Sequence, residues 1–136
     1  MNEKLKIYLD TSIISYLAQY DVPEKMSSTI KLWEMFREKK YDLYLSTVTL
    51  QEIDDCPEPK RSILYRYLSE IEYTIIDVNK TVSDIARQLV DMKVLPPKSY
   101  DDCQHIAAAV ETGCDCIVSW NFKHIVNKLI ASDVPF

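Results

Sequence analysis

Asp10, Glu52, Asp102 and Asn121 are the residues of this sequence whose types could do chemistry together. They stand far apart in the chain, each where an apolar run ends or a helical pattern begins. An α/β sheet gathers such positions at one edge. Three carboxylates converging there without an evident cationic partner repel, and at about 4 Å each pair costs on the order of 4 kcal/mol at an effective dielectric near ~20. A divalent cation offsets that cost, and oxygen-only ligands suit Mg2+ or Mn2+ rather than zinc. The chemistry such a centre supports is chemistry at phosphate. Each residue also has a plain structural reading. Asp10 can cap a helix starting at Thr11, Thr49 with Glu52 and Ser99 with Asp102 match capping boxes, and Asn121 can cap or make a turn. Capping explains an acid at a helix start but not why all four fall at the same end of a sheet.

Around these four, Thr11 and Ser119 carry hydroxyls that could orient a metal-bound water or a carboxylate, against ordinary turn bonding. Lys123 and His124 follow Asn121 and could touch a phosphate, or could be surface residues of a helix start. His105, in an apolar helix, reads as a buried hydrogen-bonded histidine, with a general base as the minority reading. Asp101 reads as a helix-start charge, Asp54 and Asp55 as solvated turn residues, and Asp115 as a loop residue. Trp33, Tyr65 and Tyr67 sit at helical spacing and read as core or partner-facing rather than base-stacking.

Four short strand patterns position these residues: Leu5 to Leu9, Tyr41 to Leu45, Tyr73 to Val78 and Cys116 to Trp120. Helical patterns alternate with them: Thr11 to Tyr20, a second helix opened by Pro23 and Glu24, a short one carrying Glu52, one through Ile63 to Ile71, Thr81 to Lys93, Ser99 to about Thr112, and a last one from His124 to Ala131. Pro57 and Pro59 break the helix after Glu52, Pro96-Pro97 makes a loop, and Gly113 reads as a left-handed helix stop. The expected fold is α/β: a three-layer α/β/α sandwich with a central, mainly parallel sheet of about four to five strands.

The 136 residues suit a single domain, 1–136, and an apolar fraction of 47% suffices for a core. No run approaches the roughly 18 apolar residues of a membrane span, and the start of the chain lacks an apolar leader, so a cytoplasmic location is expected. A net charge of −5 argues against gripping nucleic acid with the whole surface, though not against a local basic rim. One glycine is too few for a phosphate loop or a dinucleotide fingerprint. The four cysteines form no zinc pattern and read as reduced thiols.

Asp10-Thr11-Ser12 after a strand resembles the opening motif of the PIN-domain nucleases, whose best-known bacterial members are VapC-type toxins. Glu52, in Thr49-Leu50-Gln51-Glu52, resembles the second acid of that family. Asp102-Cys103-Gln104-His105-Ile106-Ala107 resembles its third motif, and Cys116-Ile117-Val118-Ser119-Trp120-Asn121 its last strand. The resemblance covers nearly the whole chain in the right order. It implies a metal-dependent ribonuclease acting through a metal-activated water on RNA, with one or two Mg2+ or Mn2+ ions on Asp10, Glu52, Asp102 and Asn121. It also implies a cognate antitoxin as partner if the chain is the toxin of a pair. Exposed helical faces between Pro57 and Lys93 are candidate surfaces for an antitoxin or a homodimer, or are solvated. Asn121 stands where many members have Asp, and brings an amide oxygen without charge. The family usually continues into another edge strand, where this sequence stops at Val134-Pro135-Phe136, so part of that edge is expected to be absent. A catalytically inactive PIN-like module that binds RNA or protein is the alternative. An aspartyl-phosphate enzyme ranks below both, since it needs an Asp where Ser12 stands.

Overall fold

The structure, a computed structural model, describes residues 4–92 and 100–120, with only the backbone of Leu89, Tyr100, Asp101 and Asp102. Strands alternate with helices: β1 (Lys6–Leu9), α1 (Thr11–Ser15) with a 3-10 turn (Tyr16–Ala18), α2 (Pro23–Arg37), β2 (Asp42–Ser46), α3 (Thr47–Asp54), α4 (Lys60–Leu68), β3 (Thr74–Ile76), α5 (Lys80–Asp91), α6 (Tyr100–Glu111) and β4 (Cys116–Val118). The four strands form one sheet in the order β3-β2-β1-β4, parallel throughout.

Strand alternation sends successive side chains to opposite faces, and helices cover both faces of the central strands β1 and β2. Ile7 and Leu9 of β1, with Leu43 and Leu45 of β2, pack against α1 to α4 through Ile13, Ile14, Leu17, Trp33, Phe36, Ile53, Leu64 and Leu68. Tyr8 points to the other face, where Val82 and Ala86 of α5 meet Cys103 and the Ile106–Ala109 stretch of α6. The result is the expected α/β/α sandwich, with helices on both faces of a parallel sheet. Trp33 is fully buried and donates its indole N–H to the Tyr67 carbonyl at 3.0 Å, so these two rings belong to the core. Tyr65 lies at the surface with its hydroxyl on Asp54.

Local rules set most boundaries. Pro23 opens α2 at its first turn, where its missing N–H is not needed. Asn79 caps α5 by accepting from Val82 N at 3.1 Å. Gly113 ends the α6 segment with φ +67°, the left-handed geometry expected of it. The helix expected from Thr11 to Tyr20 is shorter and tightens into a 3-10 turn at Tyr16. Among the described residues no helix is long and apolar enough to cross a membrane. The helix expected from His124 and the C-terminal edge lie outside the described residues.

Candidate active site

In the order β3-β2-β1-β4 the chain reverses direction of growth between β1 and β4, and open parallel sheets bind ligands beyond the carboxyl ends at such a point. Asp10 follows β1 there. Its backbone N–H donates to the Val118 carbonyl at 3.2 Å, which stitches the end of β1 to the end of β4. Its side chain is almost wholly buried. Oδ2 accepts three hydrogen bonds: from Ser12 N at 3.2 Å, Ser12 Oγ at 2.7 Å and Ser119 Oγ at 2.8 Å. The first is the helix cap expected of Asp10. The hydroxyls of Ser12 and Ser119 are themselves 3.1 Å apart, and Ser12 Oγ also accepts the Trp120 N–H at 2.9 Å.

Glu52 comes to the same edge from α3, with Thr11 Oγ1 donating to its Oε1 at 3.0 Å. It is not the capping acid of a box with Thr49. Strand β2 runs on to Ser46, which is the N-cap of α3, and Thr49 itself bonds back to the Ser46 N–H at 3.5 Å. Glu52 therefore sits in the second turn rather than the first, and the local reading of this carboxylate falls away.

His105 joins the two acids. Its Nε2 lies 2.6 Å from Glu52 Oε1 and 3.5 Å from Asp10 Oδ1, with the ring buried. The expected carboxylates do not stand alone, because α6 places an imidazole between them. A carboxylate only accepts, so Nε2 carries the hydrogen of the short bond. On the other side of the ring, Nδ1 lies 2.6 Å from the Tyr8 hydroxyl, which donates to Ser46 Oγ at 2.8 Å. Burial would raise the Glu52 carboxyl, but the hydrogen bond and charge of His105, with the Thr11 hydroxyl, outweigh it and hold the group below the ordinary value. Burial pushes the Tyr8 phenol well above its ordinary value.

Asp10 and Glu52 take their hydrogen bonds on Oδ2 and Oε1, so among the described residues Asp10 Oδ1, which faces His105 Nε2 at 3.5 Å, and Glu52 Oε2 are the oxygens that could meet a cation. These hard donors fit Mg2+ or Mn2+. Among the described residues, no three acidic, histidine or cysteine side chains are grouped to hold a metal. Asp102 lies on α6, three residues before His105, but its side chain lies outside the described residues, as do Asn121, Lys123 and His124 entirely. Thr11 and Ser119 are brought to the two acids as expected. Asp115 is not near them: it bonds Lys6 N at 2.8 Å, at the opposite end of β1. Sequence reasoning missed Tyr8, Ser12 and Ser46. Ser12 carried a signal as the third residue of the Asp10-Thr11-Ser12 motif, and Tyr8 carried one as a polar tip on the buried face opposite Ile7 and Leu9.

A family model described as a PIN domain matches residues 6–123. No curated protein matches the chain. Among solved structures, it is similar to VapBC2 from Rickettsia felis, solved bound to a DNA fragment from their promoter, with TM-score 0.66 and 20% identity over 90% of this chain and 92% of that one. It is also similar to Mycobacterium tuberculosis VapC20, named as a sarcin-ricin loop cleaving toxin, with TM-score 0.60 and 16% identity over 89% and 94%. At these identities the likeness is one of fold.

Proposed function

The chain belongs to the PIN domain family, and from that premise we propose that it is a single-domain, metal-dependent ribonuclease that hydrolyses RNA phosphodiester bonds. The observation that carries this is the meeting of Asp10 and Glu52 about His105 at the carboxyl edge of the sheet, with Asp10 Oδ2 and Glu52 Oε1 held by protein donors. Asp10 Oδ1 and Glu52 Oε2 would hold Mg2+ or Mn2+, with Asp102 and Asn121 completing the shell of one or two ions. When bound, such an ion supplies a Lewis acid and an activated water. The protein's own part is orientation. Ser12 and Ser119 fix the Asp10 carboxylate, Thr11 and His105 fix that of Glu52, and Lys123 and His124 would meet the substrate.

The toxin of a toxin–antitoxin pair is the biological role we assign, with a cognate antitoxin and a cytoplasmic location. The support is the fold shared with the Rickettsia felis and Mycobacterium tuberculosis proteins. A homodimer is proposed with it.

A metal-titrated cleavage assay on structured and unstructured RNA tests the activity. Asp10→Asn should abolish Mg2+- or Mn2+-dependent cleavage while the melting curve stays cooperative, because Asn retains the oxygen that caps α1. Equal cleavage by the variant sinks the site assignment. A second reading, an inactive PIN-like binding module, is favoured by one observation: the imidazole of His105 already sits between the two carboxylates. It requires RNA or protein binding without turnover at every metal concentration.

A further inference from the structure

Beside the candidate site, Tyr16 and Trp120 stack with ring centroids 5.8 Å apart and planes only 21° off parallel. The other aromatic pairs built from Trp33, Phe36, Tyr41 and Tyr67 are edge-on, at 66° to 84°, as core rings usually pack. Lys25, at the start of α2, holds its ammonium over both stacked rings, 5.9 Å from the Tyr16 centroid and 5.3 Å from that of Trp120. Lys25 is exposed, and among the described residues it has no carboxylate partner, unlike Arg37, Lys39, Lys40 and Arg61.

This shelf is fixed to the site. The Trp120 N–H donates to Ser12 Oγ, which bonds Asp10, and Ser119, the preceding residue, also bonds Asp10. The indole N–H of Trp120 donates to Thr29 Oγ1 at 2.9 Å, and that buried hydroxyl donates to the Lys25 carbonyl at 2.6 Å. Tyr16 lies one turn beyond Ser12. The backbone that carries the ammonium and the ring beneath it are therefore tied to the same two serines that orient Asp10. In a chain of net charge −5, a polyanion approaching two carboxylates needs a cation beside them, and this one has its rotamers narrowed in advance by two rings.

We propose that Lys25, set on the Tyr16–Trp120 stack, is a substrate-binding residue that takes a backbone phosphate of the RNA strand next to the bond to be cut. The proposal rests on the ribonuclease reading and names a contact of that same site. A phosphate contact carries no sequence information, so it acts on all RNAs alike.

The test measures binding of a fluorescent single-stranded RNA over a range of salt concentrations, in the full-length Asp10→Asn chain with Mg2+, where turnover does not obscure binding. Lys25→Ala should weaken binding severalfold for every sequence and flatten the log–log salt slope by about 0.7, the loss of one single-strand phosphate contact. Lys25→Arg should restore both, and Trp120→Leu should weaken binding with a smaller change of slope, provided its melting curve stays cooperative. An unchanged slope in Lys25→Ala, or no RNA binding at all, overturns the proposal. The parallel cleavage assay separates the two ideas. Cleavage with an unchanged slope leaves the ribonuclease standing and removes Lys25 from it, whereas Lys25-dependent binding without cleavage by the unmutated chain does the reverse.

Discussion

The Nε2 atom of His105 lies 2.6 Å from Oε1 of Glu52, although 53 positions separate them in the chain. That contact and the charge behind it hold the Glu52 carboxyl low against its own burial. Removing the imidazole leaves burial as the dominant influence, so His105→Ala should raise the Glu52 titration midpoint. Carboxyl carbon NMR of labelled Glu52 in metal-free protein reads this directly, and an unmoved midpoint would show that the bond does not hold it low. The sign for stability follows. A carboxyl lowered by folding contributes fully above its ordinary value of 4.5 and loses that contribution as pH falls through the lowered value. Glu52→Gln should therefore flatten the acid side of the stability profile and leave its shape unchanged at neutral pH.

Tyr8 is the second prediction. Its hydroxyl bridges His105 Nδ1 and Ser46 Oγ inside the sheet–α6 layer, and Tyr8→Phe deletes the bridge without changing the ring. Leaving buried polar partners unmet costs about 1–3 kcal/mol, so chemical denaturation should show a loss in that range. A loss near zero would mean that His105 and Ser46 find other partners.

The fold was largely legible because its signals are local. Short, largely apolar runs marked all four strands, and Gly113 was readable as a left-handed stop. Periodicity was less decisive at Ile13, Ile14 and Leu17, whose spacing is satisfied by an α-helix and by the tighter 3-10 turn that takes over at Tyr16. The candidate site divides similarly. Asp10 and its cap could be read from neighbours in sequence. The pairing of Glu52 with His105 could not, because it depends on α3 and α6 meeting across the edge of the sheet. The Thr49–Glu52 spacing pointed to a capping box, and one more residue of strand, ending at Ser46, removed it.

Ser12 is where the third prediction lies. Its hydroxyl donates to Asp10 and accepts from the Trp120 backbone, so it holds the end of β4 against the carboxylate. Residues that orient a ligand typically cost about 10–100-fold in metal affinity or activity when removed. Ser12→Ala should lose cleavage in that range, whereas Ser12→Thr, which keeps the hydroxyl, should recover part of it. Equal activity in wild type and Ser12→Ala would show that Asp10 needs no help from this serine.

Gly113 offers a test of backbone geometry free of packing. A Cβ built there meets nothing within 4 Å, yet φ is +67°. Gly113→Ala should then cost about 1–2 kcal/mol from the left-handed conformation alone, and Gly113→Asn less, since Asn visits that region more readily. Equal stability of all three chains would argue against the turn.

Metal affinity can be read without catalysis. A ligand that binds only the folded chain stabilises it by an amount set by its concentration over its dissociation constant, about 2.7 kcal/mol at a hundredfold excess. Mn2+ or Mg2+ added to metal-free protein should therefore raise the melting temperature in a saturable way, and EDTA should reverse it. The rise should vanish in Asp10→Asn and shrink in Glu52→Gln, because each removes a charged oxygen donor. It should persist in Lys25→Ala, which touches neither donor. The same rise in wild type and Asp10→Asn would place the cation elsewhere on this acidic surface, and the two carboxylates would then owe their proximity to His105 alone.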